Sequence, residues 1–270
     1  MIWTIEDLKQ ASAEDVEKMR KQISLKEHYY VGMRANGRST GLTLDEYNAW
    51  KEEKPSEKCP TCHGRGKVKK PQRSVGCIHA SSAHTCRRRL YYDVVADRPP
   101  KQEISPELQH TFRIGHAMHD VAQAALHTAL PGKFRDEVRV DLPEAFIVNS
   151  RTDGVVELPQ TRVLLEIKSI GSEYDKLTEP KPEHMTQAVG IYANALDIPF
   201  ISFLYISKKW PLPVKEFVVP YDERIYRRWW RSKGKKVEEA LEKGEPPIAD
   251  ADKQMCRQCP YNYFCEQRAK

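Results

Sequence analysis

The chain has 270 residues, 40% hydrophobic and 30% charged, which is enough apolar content for a packed core and excludes global disorder. No run approaches the roughly eighteen apolar residues of a membrane span, and the acidic start Met1-Ile2-Trp3-Thr4-Ile5-Glu6-Asp7 does not read as a secretory signal, so a cytoplasmic, intracellular protein with no membrane partner is expected. The net charge of +6 permits an anionic partner without requiring one, and seven cysteines, an odd number, argue for metal binding over a disulfide framework.

Residues 5–30 read as largely helical, with Ser12-Ala13-Glu14-Asp15 resembling a capping box that uses the shorter acid. A short helix is expected at 43–53, opened by Thr43. From Pro55 to Thr85 the chain turns rich in Lys, Gly, Ser, Cys and His. It has too few large apolar residues for its own core, so it is a linker or a metal-stapled knuckle. Lys58-Cys59-Pro60-Thr61-Cys62-His63-Gly64-Arg65-Gly66 is similar to one knuckle of the chaperone zinc domains. The second pair is missing; Cys77 with His79 or His84 would complete a Cys₃His zinc site with Cys59 and Cys62, unless Cys77 is no ligand at all. Two basic clusters stand here, one of Lys67, Lys69, Lys70 and Arg73, the other of Arg87, Arg88 and Arg89.

From Cys86 onward the texture is that of a compact α/β unit. Pro106 to Leu130 forms a long amphipathic helix with Ile114, Met118, Val121, Ala122, Ala125 and Ala129 on one face. Strands follow near 134–141, 146–158 (with a break at Asn149-Ser150) and 162–170, the last two joined as a hairpin by Pro159-Gln160-Thr161. A helix at 181–196, a buried strand at 200–207, a strand from Val214 to Val219 and a basic helix at 222–243 complete the pattern. In that last helix Arg and Lys mix with Tyr226, Trp229 and Trp230, which suits a nucleic-acid single strand or, more blandly, a solvated helix whose tryptophans pack on the core.

The chemistry concentrates in Arg162-Val163-Leu164-Leu165-Glu166-Ile167-Lys168-Ser169. Side chains alternate along a strand, so Glu166 and Lys168 share one face while Leu165 and Ile167 take the other. Two charges on an otherwise buried strand are costly unless something binds there. Thr152-Asp153-Gly154-Val155-Val156 places another acid on the partner strand, so Asp153 and Glu166 can meet at a divalent cation. An isolated E-x-K is common by chance and is otherwise a structural ion pair. On the long helix His119 lies with Gly115, Ala122 and Leu126 facing inward, while His116 lies with Arg113, Asp120, Gln123 and His127 facing water.

Gly115-x-x-x-His119, Asp153, Glu166-x-Lys168 and Gln187 on the following helix together resemble the RecB-like branch of the PD-(D/E)xK nuclease superfamily, which includes CRISPR-associated spacer-processing nucleases and helicase–nuclease modules. The resemblance implies a restriction-endonuclease-like core, a mixed central sheet flanked by helices. It makes His119, Asp153 and Glu166 ligands of Mg²⁺ or Mn²⁺, Lys168 the catalytic lysine, and Gln187 a residue positioning DNA or water. Glu137 is a further candidate acid. The family spaces its glutamine and tyrosine as Q-x-x-x-Y, whereas Gln187 to Tyr192 holds one residue more, which on an α-helix turns Tyr192 away from Gln187.

Cys256-x-x-Cys259-x₅-Cys265 needs a fourth ligand, and Cys86 supplies one ahead of the core. Four thiolates hold a [4Fe–4S] cluster or a zinc ion. One cysteine before the nuclease motifs and three after them resembles the iron–sulfur type of RecB-like nuclease, a likeness spanning about 185 residues from Cys86 to the end. The expected organisation is a helical, cysteine-rich extension at 1–85 and a nuclease domain at 86–270 closed by that clasp. The expected activity is metal-dependent DNA hydrolysis, exonucleolytic, on single strands or duplex ends, with a helicase or recombination partner conceivable. A noncatalytic iron–sulfur or zinc DNA-binding or assembly module is the alternative.

Overall fold

The computed structural model describes residues 3–39, 76–96, 105–262 and 265. The helix expected at 43–53, Cys59, Cys62 and the cluster from Lys67 to Arg73 lie outside the described residues.

Strands β1 (Phe134–Leu142), β2 (Ile147–Glu157), β3 (Arg162–Ile170), β4 (Phe200–Ser207) and β5 (Val214–Pro220) form one sheet in chain order. β3 and β4 run parallel and the other neighbours antiparallel, so the sheet is mixed as expected. The apolar run Phe200-Ile201-Ser202-Phe203-Leu204-Tyr205-Ile206-Ser207 is buried throughout, as a strand covered on both faces must be. A parallel neighbour requires a crossover, and the helical segment after β3 supplies it. That segment, α6, runs through Pro182–Met185, a π-helical stretch Thr186–Ala193 and Asn194–Leu196.

The first helices among the described residues are α1 (Ile5–Gln10), α2 (Ala13–Gln22) and α3 (Leu25–Ser39). Thr4 and Asp7 form a reciprocal capping box at α1, and Ser12 Oγ accepts from Asp15 N at α2. The cap of α3 is remote. Glu216 on β5 accepts from Leu25 N at 2.9 Å and Lys26 N at 3.1 Å, while Ser202 Oγ donates to it at 2.6 Å. Trp3 bridges to Thr161, and Ile5, Leu8, Met19, Ile23, Leu25 and Tyr29 join the same core as the strands.

Helix α4 (Arg87–Val95) precedes the long helix α5 (Pro106–Ala129). Ser105 caps α5 and Pro106 occupies its first turn, where a missing N–H costs nothing. α5 crosses α3 so closely that a methyl on Gly32 would stand 1.8 Å from the Ala125 carbonyl oxygen, which only glycine allows. The inward face of α5 is narrower than the apolar pattern suggests: Ala122, Ala125 and Leu126 are buried, whereas Ile114 and Val121 are 38% and 47% exposed. Helix α7 combines Glu223–Trp229, a π-helical turn Trp230–Gly234 and Lys235–Lys243, and α8 (Lys253–Arg257) follows. The basic helix follows the blander expectation: Trp229 is buried and its indole N–H donates to Ala83 O at 2.9 Å. No helix among the described residues is long and apolar enough to cross a membrane.

Candidate active site

The site forms where β2 and β3 part. Their ladder ends with Gly154 paired to Leu165, which leaves Asp153 and Glu166 as the next residue of each strand. Past that step, side chains replace backbone bonds: Thr152 Oγ1 donates to Leu165 O at 2.9 Å, and Asp153 Oδ2 accepts from Ile167 N at 2.6 Å. Gly154 permits this geometry, because a methyl there would stand 2.3 Å from the Phe134 ring.

Asp153 and Glu166 therefore sit on neighbouring strands at one face, as expected. His119 reaches them from α5, with Nδ1 3.2 Å from Asp153 Oδ1. Gly115 lets α5 lie against the end of β3; a methyl there would be 3.3 Å from Ser169 Oγ. Lys168 Nζ donates to Glu166 Oε1 at 2.5 Å. Glu166 is only 1% exposed, and its Oε2 is buried with no hydrogen-bond partner. Burial, then the charge of Asp153, holds the Glu166 carboxyl well above its ordinary range, against the pull of Lys168. Burial alone would lower Lys168, but Glu166 and Asp153 outweigh it, so the amine stays cationic. The same contest raises His119: burial opposes its charge, and the bond to Asp153 prevails.

The donor set suits a hard divalent cation: two carboxylates, an imidazole and one orphaned carboxylate oxygen. As they stand, no three His, Cys, Asp or Glu side chains among the described residues are gathered closely enough to hold an ion. Three of the four oxygens of Asp153 and Glu166 are engaged, by His119, Ile167 N and Lys168.

Two residues that the sequence reading set aside belong here. Gln123, grouped above with the water-facing side of α5, is buried; its amide donates to Asp153 O at 2.9 Å and to Glu137 Oε1 at 3.4 Å. Its place one turn after His119 was the available signal. Glu137 itself has φ of 48° and lies 3.9 Å from Arg151, with a side chain half in solvent. Tyr192 corrects the second reading. The stretch Thr186–Ala193 is π-helical, and a π-helix pairs residues five apart, so the extra residue is absorbed and Gln187 Nε2 donates to Tyr192 OH at 2.9 Å. Burial, then the charge of Glu166, pushes the Tyr192 hydroxyl far up, so it stays protonated. Behind Lys168, its register partner Tyr205 meets His184 Nδ1 at 2.7 Å, and burial followed by the Lys168 charge lowers His184 to about 3.

Cys86, Cys256, Cys259 and Cys265 line one cavity between α4 and α8. The Arg87–Arg89 cluster is spent on this joint rather than on an open basic patch. Arg87 N donates to Asp250 Oδ1 at 2.8 Å, Arg87 Nε to Ile248 O at 2.6 Å and Arg88 Nε to Pro247 O at 2.9 Å. Arg88 Nη1 lies 3.8 Å from Cys265 Sγ, and Tyr261 OH donates to Asp93 Oδ1 at 2.8 Å. Cys77 is buried with Sγ 3.8 Å from Val148 O, beside the Ile78–Ile147 bridge, and His79 caps a short 3₁₀ turn, Ala80–Ser82.

No protein-family model and no curated protein matches the chain. Among solved structures, SSO0001 superposes with a TM-score of 0.46 at 16% identity, covering 73% of this chain and 89% of that one. LHK-Exo in complex with dAMP gives 0.47 at 20% identity over 63% of this chain and 90% of that one. The alkaline exonuclease LHK-Exo from Laribacter hongkongensis gives 0.43 at 18%, over 63% and 94%.

Proposed function

We propose that the chain is a divalent-metal-dependent DNA nuclease, an exonuclease working on single strands or duplex ends. The observation that carries this is the convergence of Asp153 and Glu166 with His119 and Lys168, around a buried carboxylate oxygen left without a hydrogen bond among the described residues. His119, Asp153 and Glu166 would hold Mg²⁺ or Mn²⁺, which supplies Lewis acidity toward phosphate oxygens when bound. Glu166 holds the Lys168 ammonium beside the reacting phosphate, where its charge offsets the negative charge that builds up during hydrolysis. Gln123 fixes the Asp153 main chain, and Tyr192 fixes Gln187 for contact with the strand or the attacking water. Cys86, Cys256, Cys259 and Cys265 would hold a [4Fe–4S] cluster, a reading supported by the one cavity that all four line.

The test is incubation of end-labelled single-stranded DNA with the full chain in Mn²⁺ or in EDTA, alongside Lys168→Ala. Cleavage with Mn²⁺ that EDTA abolishes and the variant lacks is the expected result. Cleavage persisting in EDTA, or full activity in the variant, overturns the reading. Binding without cleavage would turn it to the noncatalytic module. An absorbance spectrum with iron and zinc analysis after anaerobic purification tests the cluster separately.

A further inference from the structure

We propose that the turn between β4 and β5 is a nucleobase-stacking site, with Trp210 as the platform, for the DNA strand whose phosphate reaches Lys168. The identity of the polymer rests on the nuclease reading above; the stacking site rests on its own observations.

Trp210 is 88% exposed, against 69% for Ile248, the next among the large hydrophobic side chains in the described residues. A single exposed apolar residue is ordinary, but this one is held out on a fixed mount. Leu212 N donates to Lys209 O at 2.7 Å, Ser207 N to Pro213 O at 3.0 Å and Lys209 N to Ser207 Oγ at 3.1 Å. The backbone that carries the ring is already ordered, so binding need fix only the ring's own side-chain torsions.

The position is specific as well. Lys208 N donates to Ile170 O at 2.8 Å, which ties the root of the turn to the end of β3. Lys168, paired with Tyr205, lies two residues, roughly 7 Å of strand, before Ile170. The turn that carries the indole is thus joined to the end of the strand that carries the catalytic amine. The charge around it is also suitable. Lys209 lies 3.7 Å from Asp175, and Glu173 is engaged by Lys181. Lys176, which acts on Glu173 at longer range, and Lys208 make no ion pair within 4.0 Å among the described residues. An aromatic face flanked by ammonium groups is the chemistry that grips unpaired DNA without regard to sequence, since every base has a π-face.

The test uses the full chain in EDTA, where hydrolysis is blocked, and fluorescence anisotropy with labelled oligothymidylate and with an abasic oligonucleotide of equal length. Trp210→Ala should weaken oligothymidylate binding about tenfold while leaving the abasic oligonucleotide unaffected, and Trp210→Phe should recover most of the affinity. Equal affinity of wild type and Trp210→Ala for oligothymidylate overturns the proposal. An equal loss for both oligonucleotides overturns it too, because the ring would then act without a base. Dissociation of an oligomer by Trp210→Ala in size-exclusion chromatography assigns the ring to a second copy of the chain and likewise overturns it. If the base-dependent loss is found while Mn²⁺-dependent cleavage is absent, the stacking site is supported and the hydrolytic reading alone fails.

Discussion

The carboxylate end of β2 and β3 and the cysteine-lined joint between α4 and α8 treat polar groups in different ways. At the joint, Arg87, Arg88 and Tyr261 bind carbonyls and carboxylates between α4 and residues 247–261, and the one group left without a hydrogen bond there among the described residues, Arg89 Nε, belongs to a cation 3.8 Å from Asp93 Oδ2. At the carboxylate end, Glu166 Oε2 is buried without a hydrogen bond among the described residues, and burial, then the charge of Asp153, raises the Glu166 carboxyl. Leaving a buried acceptor unpaired costs about 1–3 kcal/mol. The joint is tied by hydrogen bonds between protein groups; the carboxylate end keeps an unpaired acceptor that, on the function proposed above, a bound cation would relieve. Strain of this kind belongs where chemistry is done.

That contrast is open to attack at several points. Its largest expected effect is on activity: Lys168→Ala should lower the rate of Mn²⁺-dependent cleavage by about 10²–10³-fold, while the melting temperature falls by only a few degrees as Glu166 loses its partner, measured by single-turnover assay and calorimetry. Cys259→Ser should do the reverse, removing bound iron and lowering the melting temperature by roughly 10 °C, as loss of a cross-link closing a long loop does. A variant that keeps its iron, or loses none of its stability, breaks the assignment of the joint as the clasp.

Gly154→Ala sharpens the comparison, since its methyl would meet the Phe134 ring right beside Asp153. A destabilisation of about 1–3 kcal/mol in urea unfolding is expected, with metal affinity falling as Asp153 shifts. Tyr192→Phe removes the acceptor of the Gln187 amide and should cost about 1 kcal/mol of stability and a smaller share of activity.

The smallest effect concerns pH. His184 has a folded-state pKa lowered from 6.5 to about 3, with burial the first cause and Lys168 the next. The unfolded chain therefore takes up more protons than the folded one between those values. Its contribution is fully present above pH 6.5 and is lost as pH falls toward 3. Between about pH 7 and pH 5 the urea midpoint of the wild type should fall relative to that of His184→Gln, a difference in which the opposite contributions of Glu166 and His119, both raised by folding, cancel.

Much of the fold could be read directly. β3 and β4 fall at the expected residues, because continuous apolar runs bounded by turn residues have few other solutions. Alternation alone put Glu166 and Lys168 on one face, and a period of 3.6 turned His119 inward. The same periodicity misjudged Gln123, because a long polar side chain can be buried when the sheet offers it partners. It also widened the apolar face of α5 to include Ile114 and Val121.

The residue types, their strand alternation and the order of the cysteines were determined by sequence, since each depends on near neighbours in the chain. Tertiary structure alone decided the π-helical stretch that rejoins Gln187 to Tyr192, the capping of α3 by Glu216, and the use of Arg87 and Arg88 as struts. Each of these is unfavourable or undefined locally. An i→i+5 turn, an uncapped helix end or an unattached guanidinium becomes stable only when a group distant in sequence arrives to complete it.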